Sequence, residues 1–118
     1  MSKLFTSWAP DPVAEILGTG YEQFESSVGI SGLARTTGDR IEVLAVIAAR
    51  PGTGQFRRFI AELKSIYATV VVWEIWNPDA ESALRRYGFE PVEQIESDGE
   101  RVTGMKWVAP PAKRKAAK

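Results

Sequence analysis

The segment Arg50-Pro51-Gly52-Thr53-Gly54-Gln55-Phe56-Arg57-Arg58-Phe59-Ile60-Ala61-Glu62-Leu63 decides how the rest of the chain is read. A run with strand character, IEVLAVIAA at 41–49, leads into it. Beyond it, Phe56, Phe59, Ile60, Leu63, Ile66 and Tyr67 recur at helical spacing, with Arg57, Arg58, Glu62, Lys64 and Ser65 on the other side. Two glycines at a strand-to-helix turn let the backbone come close to a ligand, and the first N–H groups of a helix have no partner inside it. The pattern predicts an anion cradle with phosphate as its natural guest. PGTG is equally an ordinary turn, and many such turns bind nothing.

Downstream, TVVVWEIW at 69–76 reads as a second buried strand, parallel to the first by the strand–helix–strand rule. Asn77-Pro78-Asp79 supplies an N-cap, a proline at the first helical position and an early acid. Ala80, Ala83, Leu84 and Tyr87 form the apolar stripe of that helix, Arg85 and Arg86 suit its C-terminus, and Gly88 ends it. EPVEQIES, a turn at Asp98-Gly99 and ERVTGMKWV then predict a hairpin with Glu96 opposite Arg101.

Upstream, VGISGLART and RIEVLAVIAA flank Gly38-Asp39, which suits a type II′ hairpin with Arg35 facing Glu42 and Thr36 facing Ile41. The second of these strands is apolar on both faces and belongs in the sheet interior. Asp11-Pro12 opens a short helix that Gly18 and Gly20 interrupt after Leu17, and YEQFES at 21–26 reads as a short helical or irregular piece. The expected order is helix, β-hairpin, helix, strand, helix, β-hairpin. This is an α/β (α+β) arrangement: a mixed sheet with helices on its faces. A Rossmann fold is excluded, because G-x-G-x-x-G is incomplete and Glu74 lies inside the next strand rather than at its end.

Composition narrows the chemistry. With no cysteine and no histidine, disulfides, thiol nucleophiles, histidine bases and Cys/His zinc sites are all excluded. No carboxylate spacing suggests a metal. The 118 residues predict a single domain over 1–109 and a disordered basic tail over 110–118, where Lys113, Arg114, Lys115 and Lys118 gather. Such a tail can touch nucleic acid, but it is more often a solubilising extension, so nucleic acid is not the expected partner. No leader-like or membrane-spanning run is visible, and a cytoplasmic protein is expected.

Taken together, the chain resembles the GNAT superfamily of acetyl-CoA-dependent N-acetyltransferases. RPGTGQFRRFIAEL is similar to the family's R-R-G-x-G-x-G-x-x-L-L-x-x-L, and NPDAESALRRYGF to its N-x-x-A-x-x-x-Y-x-x-x-G-F. The match covers roughly 28–108, with an N-terminal region shorter than the family norm. The resemblance implies a GNAT-like central sheet and acetyl-CoA as co-substrate. Its pyrophosphate would lie on the amides around Gly52, Thr53, Gly54, Gln55, Phe56 and Arg57, with Arg50 adjacent and Arg57 and Arg58 available to pair with phosphate oxygens. The end of the first strand, Ile47 and Ala48, would pair with the pantetheine arm, and Asn77 would lie near that arm or simply cap its helix.

The resemblance also implies a general base on the central strand, for which Glu42 is the candidate by position. Its competing assignment is a structural pair with Arg35, and Glu74 is the alternate base. Leu84 stands where many members carry the tyrosine that protonates the departing thiolate. Tyr87, three positions on, is the substitute acid, with core packing as its other reading. Pro51 replaces a common Arg or Gln. Phe56 replaces a small residue, either extending the apolar stripe or narrowing the pyrophosphate pocket.

The implied activity is direct acetyl transfer to an amine acceptor, in a monomer or homodimer. The alternative is a catalytically inactive GNAT-like binding or inhibitory module acting on a protein partner. Compact members with a similar loop look like those carried by bacteriophages, which would give either reading a host-directed setting.

Overall fold

The two-residue turn at Gly38-Asp39 sets the register from which the sheet grows. In the computed structural model, which describes residues 4–75, 78–96 and 98–110, Gly38 takes φ 60 and Asp39 is not among the positive-φ residues, as a type II′ turn requires. Thr37 consequently pairs with Arg40, Thr36 with Ile41 and Arg35 with Glu42. Asn77 and residues 111–118 lie outside the described residues.

The elements run β1 (Phe5–Pro10), α1 (Pro12–Leu17), β2 (Glu22–Ser26), β3 (Ile30–Thr37), β4 (Arg40–Ala48), α2 (Gln55–Ile66), β5 (Thr69–Trp73), α3 (Pro78–Arg86), β6 (Glu90–Ile95) and β7 (Arg101–Val108). They form one mixed sheet in the order β1-β2-β3-β4-β5-β7-β6, in which only β4 and β5 are parallel. The mixed α+β class is therefore as the sequence predicts. No helix among the described residues is long and apolar enough to cross a membrane.

Three features depart from the expectation. The strand read over 69–76 ends at Trp73, because Glu74 turns to φ 52, so Glu74 stands just past the end of β5 and not inside it. Tyr21–Ser26 is not helical or irregular: Glu22–Ser26 is β2, and it pairs with both β3 and a strand, β1, that the sequence did not announce. Only Phe24 of β2 is buried, so local periodicity is too sparse to mark it, and its identity comes from neighbours distant in sequence. In the second hairpin, Arg101 pairs with Ile95, and Glu96 donates its N–H to Glu100 O at 2.8 Å. The loop is one residue longer than the predicted turn, with Gly99 at φ 85. A one-residue slip changes every partner, so Arg101 reaches Glu93 at 3.1 Å instead of Glu96.

Alternation along the strands divides the sheet into two unlike faces. Ile41, Val43, Val70, Val72, Met105 and Trp107 join Phe59, Ile60 and Leu63 of α2 and Leu84 of α3 in the core. At the core's N-terminal end Phe24 and Phe59 stack with ring centroids 5.5 Å apart and planes 4° from parallel. Helix α3 closes with Gly88 at φ 91, while Phe89 N–H donates to Leu84 O at 3.0 Å, a Schellman ending. The other face carries Leu33, Arg35, Glu42, Leu44, Val71 and Trp73, and the short helix α1 leans over part of it.

Candidate functional site

The glycine turn between β4 and α2 is built as an open cradle. Gly52 and Gly54 take φ 81 and 83, and a Cβ added to either would meet nothing within 4 Å. Thr53 Oγ1 donates to Arg50 O at 2.6 Å, and Gln55 Oε1 accepts from Arg50 N–H at 2.7 Å, so side chains of the turn hold it in shape. Gln55 packs so tightly over Gly29 that a side chain there would collide with it.

Helix α2 starts at Gly54 with no side-chain cap, and Arg58 is the first of its amides to find a backbone acceptor among the described residues. Its leading N–H groups therefore face outward, with the positive end of the helix dipole behind them. Arg50, Arg57 and Arg58 are exposed around the turn and enter no ion pair among the described residues. Phe56, half-buried, lines the neighbouring cleft and packs on the core rather than covering the glycines.

Next to this cradle the sheet opens. The parallel ladder runs from Arg40–Thr69 to Val43–Val72 and goes no further among the described residues. Two positions beyond its last pair, each strand carries a non-glycine residue of positive φ: Ala45 at φ 54 and Glu74 at φ 52. In β4 this is a bulge, where Ala45 and Val46 oppose Gly32 alone; a Cβ on Gly32 would crowd the carbonyl oxygens of Ala45 at 2.9 Å and Leu44 at 3.1 Å. Such conformations cost about 1–3 kcal/mol each and gather at functional sites. The strands part around a cavity of about 200 Å³ walled by Ala45, Val46, Phe56, Ile75, Ala80 and Leu84.

On the opposite face lies a larger cavity, about 450 Å³, beneath α1. Trp73 and Glu74 line both cavities, so the two meet where the strands separate. Beneath its floor, Glu42 is buried and fully engaged. Arg35 donates to it through Nε at 2.9 Å and Nη2 at 3.2 Å, and Trp73 Nε1 donates at 2.8 Å. Arg35 also donates to Thr19 O at 2.7 Å and lies over the Tyr21 ring at 4.6 Å. Burial pushes the Glu42 carboxyl up, but these hydrogen bonds and the charges of Arg35 and Arg40 outweigh it and hold the group below its ordinary value. Burial also pushes the Tyr21 hydroxyl up to about 12, so it stays protonated at neutral pH.

The Glu42 shift has a sign that can be checked. A depressed folded pKa adds stability above the ordinary value of 4.5, and that stability is lost as the pH falls through the lower folded value. Melting temperatures recorded from about pH 6 down to about pH 3 should therefore fall below pH 4.5. Glu42→Gln should flatten that part of the curve; an unchanged profile would mean that the ion pair does not form.

Of the residues singled out in the sequence, Gly52, Thr53, Gly54, Gln55, Arg57 and Arg50 come together at the cradle. Ile47 and Ala48 end the strand that leads to it, Ile47 exposed and Ala48 against the core. Phe56 and Leu84 wall the cleft. Tyr87 packs on the core, accepts a hydrogen bond from Lys64 at its carbonyl oxygen, and lines neither cavity. Tyr21, Glu96 and Gln94 line the larger cavity without having been anticipated; only their positions relative to the unexpected register and to β2 could have shown it. Compared with known families and with curated proteins, the chain matches no family model and no curated sequence.

Proposed function

We propose that the chain is an acetyl-CoA-dependent N-acetyltransferase of GNAT type, with the coenzyme along the opening between β4 and β5 and the amine entering from the opposite face. The observation that carries this reading is the parting of the one parallel strand pair beside a bare helix N-terminus. It leaves the β4 edge from Leu44 to Ala48 without a β5 partner, an edge suited to the amides of a pantetheine arm. The outward amides of α2 and Arg50, Arg57 and Arg58, which enter no ion pair among the described residues, suit a pyrophosphate.

In this reading the acceptor nitrogen attacks the thioester carbonyl, the C–N bond forms as the C–S bond breaks, and coenzyme A leaves as the thiolate. The amine must first lose its ammonium proton. Glu42 is badly placed to take it, because Arg35 and Trp73 hold both carboxylate oxygens. Glu74, exposed at the junction of the two cavities, takes that role directly or through water. With Leu84 on the cleft wall and Tyr87 outside it, the thiolate departs without an acid from α3. Transfer then depends mainly on orientation.

The test is melting with acetyl-CoA or coenzyme A. A ligand at about 100 times its dissociation constant adds about 2.7 kcal/mol, a rise of several degrees. Gly54→Ala puts a methyl group into the cradle and strains a left-handed residue, and it should weaken coenzyme binding at least about tenfold. No rise with either ligand sinks the transferase reading. The non-catalytic binding module would then stand, a reading favoured by the engagement of Glu42 and by Leu84.

A further inference from the structure

The larger cavity has a lining that selects a chemical class. Its walls are apolar and aromatic, with Leu33, Leu44, Trp73 and Val102 from the sheet. Val13 and Leu17 of α1 overhang it and remain 63% and 69% exposed, apolar side chains that a ligand's hydrocarbon would cover. The charges are of one sign in effect. Among the described residues Arg35 is the lining's one cation, and Glu42 pairs with it at 2.9 Å. Asp11 is committed to Ala14 N–H and to Gln23 Nε2. Glu74 and Glu96 are exposed carboxylates with no ion pair among the described residues. Arg35 and, in the opposite sense, Glu42, Glu96 and Glu74 all act on the Tyr21 hydroxyl, so these groups converge on one region.

We propose that this cavity binds a small primary amine as its ammonium form, carried on an aromatic or aliphatic body: the hydrocarbon lies against Leu33, Leu44 and Trp73, and the nitrogen lies between Glu74 and Glu96. The assignment rests on the transferase reading for its chemistry but not for binding itself. Glu74 borders the opening toward the cleft, so an ammonium held there is already at the point where an acyl group would arrive. A ligand with a carboxylate or phosphate would meet uncompensated negative charge and be rejected.

Calorimetric titration of the full chain without any acyl donor tests this with phenethylamine, 3-phenylpropionate and ethylamine. Phenethylamine should bind at least about tenfold more tightly than the other two, which lack the positive charge or the body. Glu74→Gln combined with Glu96→Gln should weaken phenethylamine about tenfold, leave 3-phenylpropionate no weaker and leave the melting temperature unchanged, since both residues are exposed.

Equal binding of phenylpropionate, or no heat from phenethylamine at millimolar concentration, overturns the assignment. So does tighter binding of a dipeptide through its α-amine. A melting rise with acetyl-CoA but no amine preference overturns this proposal and leaves the transferase reading intact. Amine preference without that rise upholds the cavity assignment and overturns the transferase.

Discussion

Glu42→Ala should cost about 3 kcal/mol of stability and lower the melting temperature by roughly 12 °C. The substitution leaves the Trp73 indole N–H without an acceptor and leaves Arg35 with only Thr19 O and water. Breaking a fully buried pair costs about 3–5 kcal/mol, and the 31% exposure of the Arg35 side chain puts this case at the low end. Glu42→Gln keeps an oxygen for Trp73 and should cost about 1–2 kcal/mol. Thermal and urea melting measure both. If acetyl transfer is established, Glu42→Gln should retain most of the rate at temperatures where it is folded. A variant that melts like the parent yet loses about a hundredfold or more in rate would instead restore Glu42 as the base.

Phe59→Ala should be more damaging still, at about 4 kcal/mol. Phe59 has 0% exposure, stacks on Phe24 and meets Phe5 edge-on with centroids 6.4 Å apart, so it ties α2 to β1 and β2 at once. Truncation removes its transfer energy and leaves a cavity that two strands and a helix cannot easily close. Phe59→Leu keeps most of the volume and should cost about half as much. The urea midpoint is the readout, and a loss below about 1 kcal/mol for the alanine variant would mean that this end of the core is not packed as described.

What the sequence disclosed follows from how local each signal is. The hairpin at Gly38-Asp39, the strand–helix–strand unit through the glycine turn, the ends of α1 and the C-terminal end of α3 are written in residues a few positions apart, and these agree with the structure. Strands β1 and β2 are not so written. Trp8 and Phe24 make them sheet-like only because each has a partner across the ladder, a property no short window contains. The C-terminal register failed for a related reason: Asp98-Gly99 serves a two-residue or a three-residue loop equally well, and packing chooses.

The site divides in the same way. The cradle was legible because its glycines and arginines are contiguous. The role of Glu42 turned on Trp73, 31 residues away, whose indole occupies the oxygen a base would need. The larger cavity draws on α1, β3, β4, β5, β6 and β7, and its composition is a property of the assembled sheet.

The parallel seam between β4 and β5 also has a consequence for how the chain comes together. Strands β1 to β4 pair in sequence order, β1 with β2 across α1 and the others across short turns, and β6 pairs with β7 across a tight loop, so both groups can form from contacts close in sequence. Joining them requires closing the long connection through α2, and the reward is a seam of only Arg40–Thr69 to Val43–Val72 with the core beneath it. By contact order that seam should be the last part to assemble. In the proposed reading the line along which a ligand would enter is thus also the line where two locally paired halves meet, and any molecule bridging β4 and β5 would act as a mechanical clasp between them.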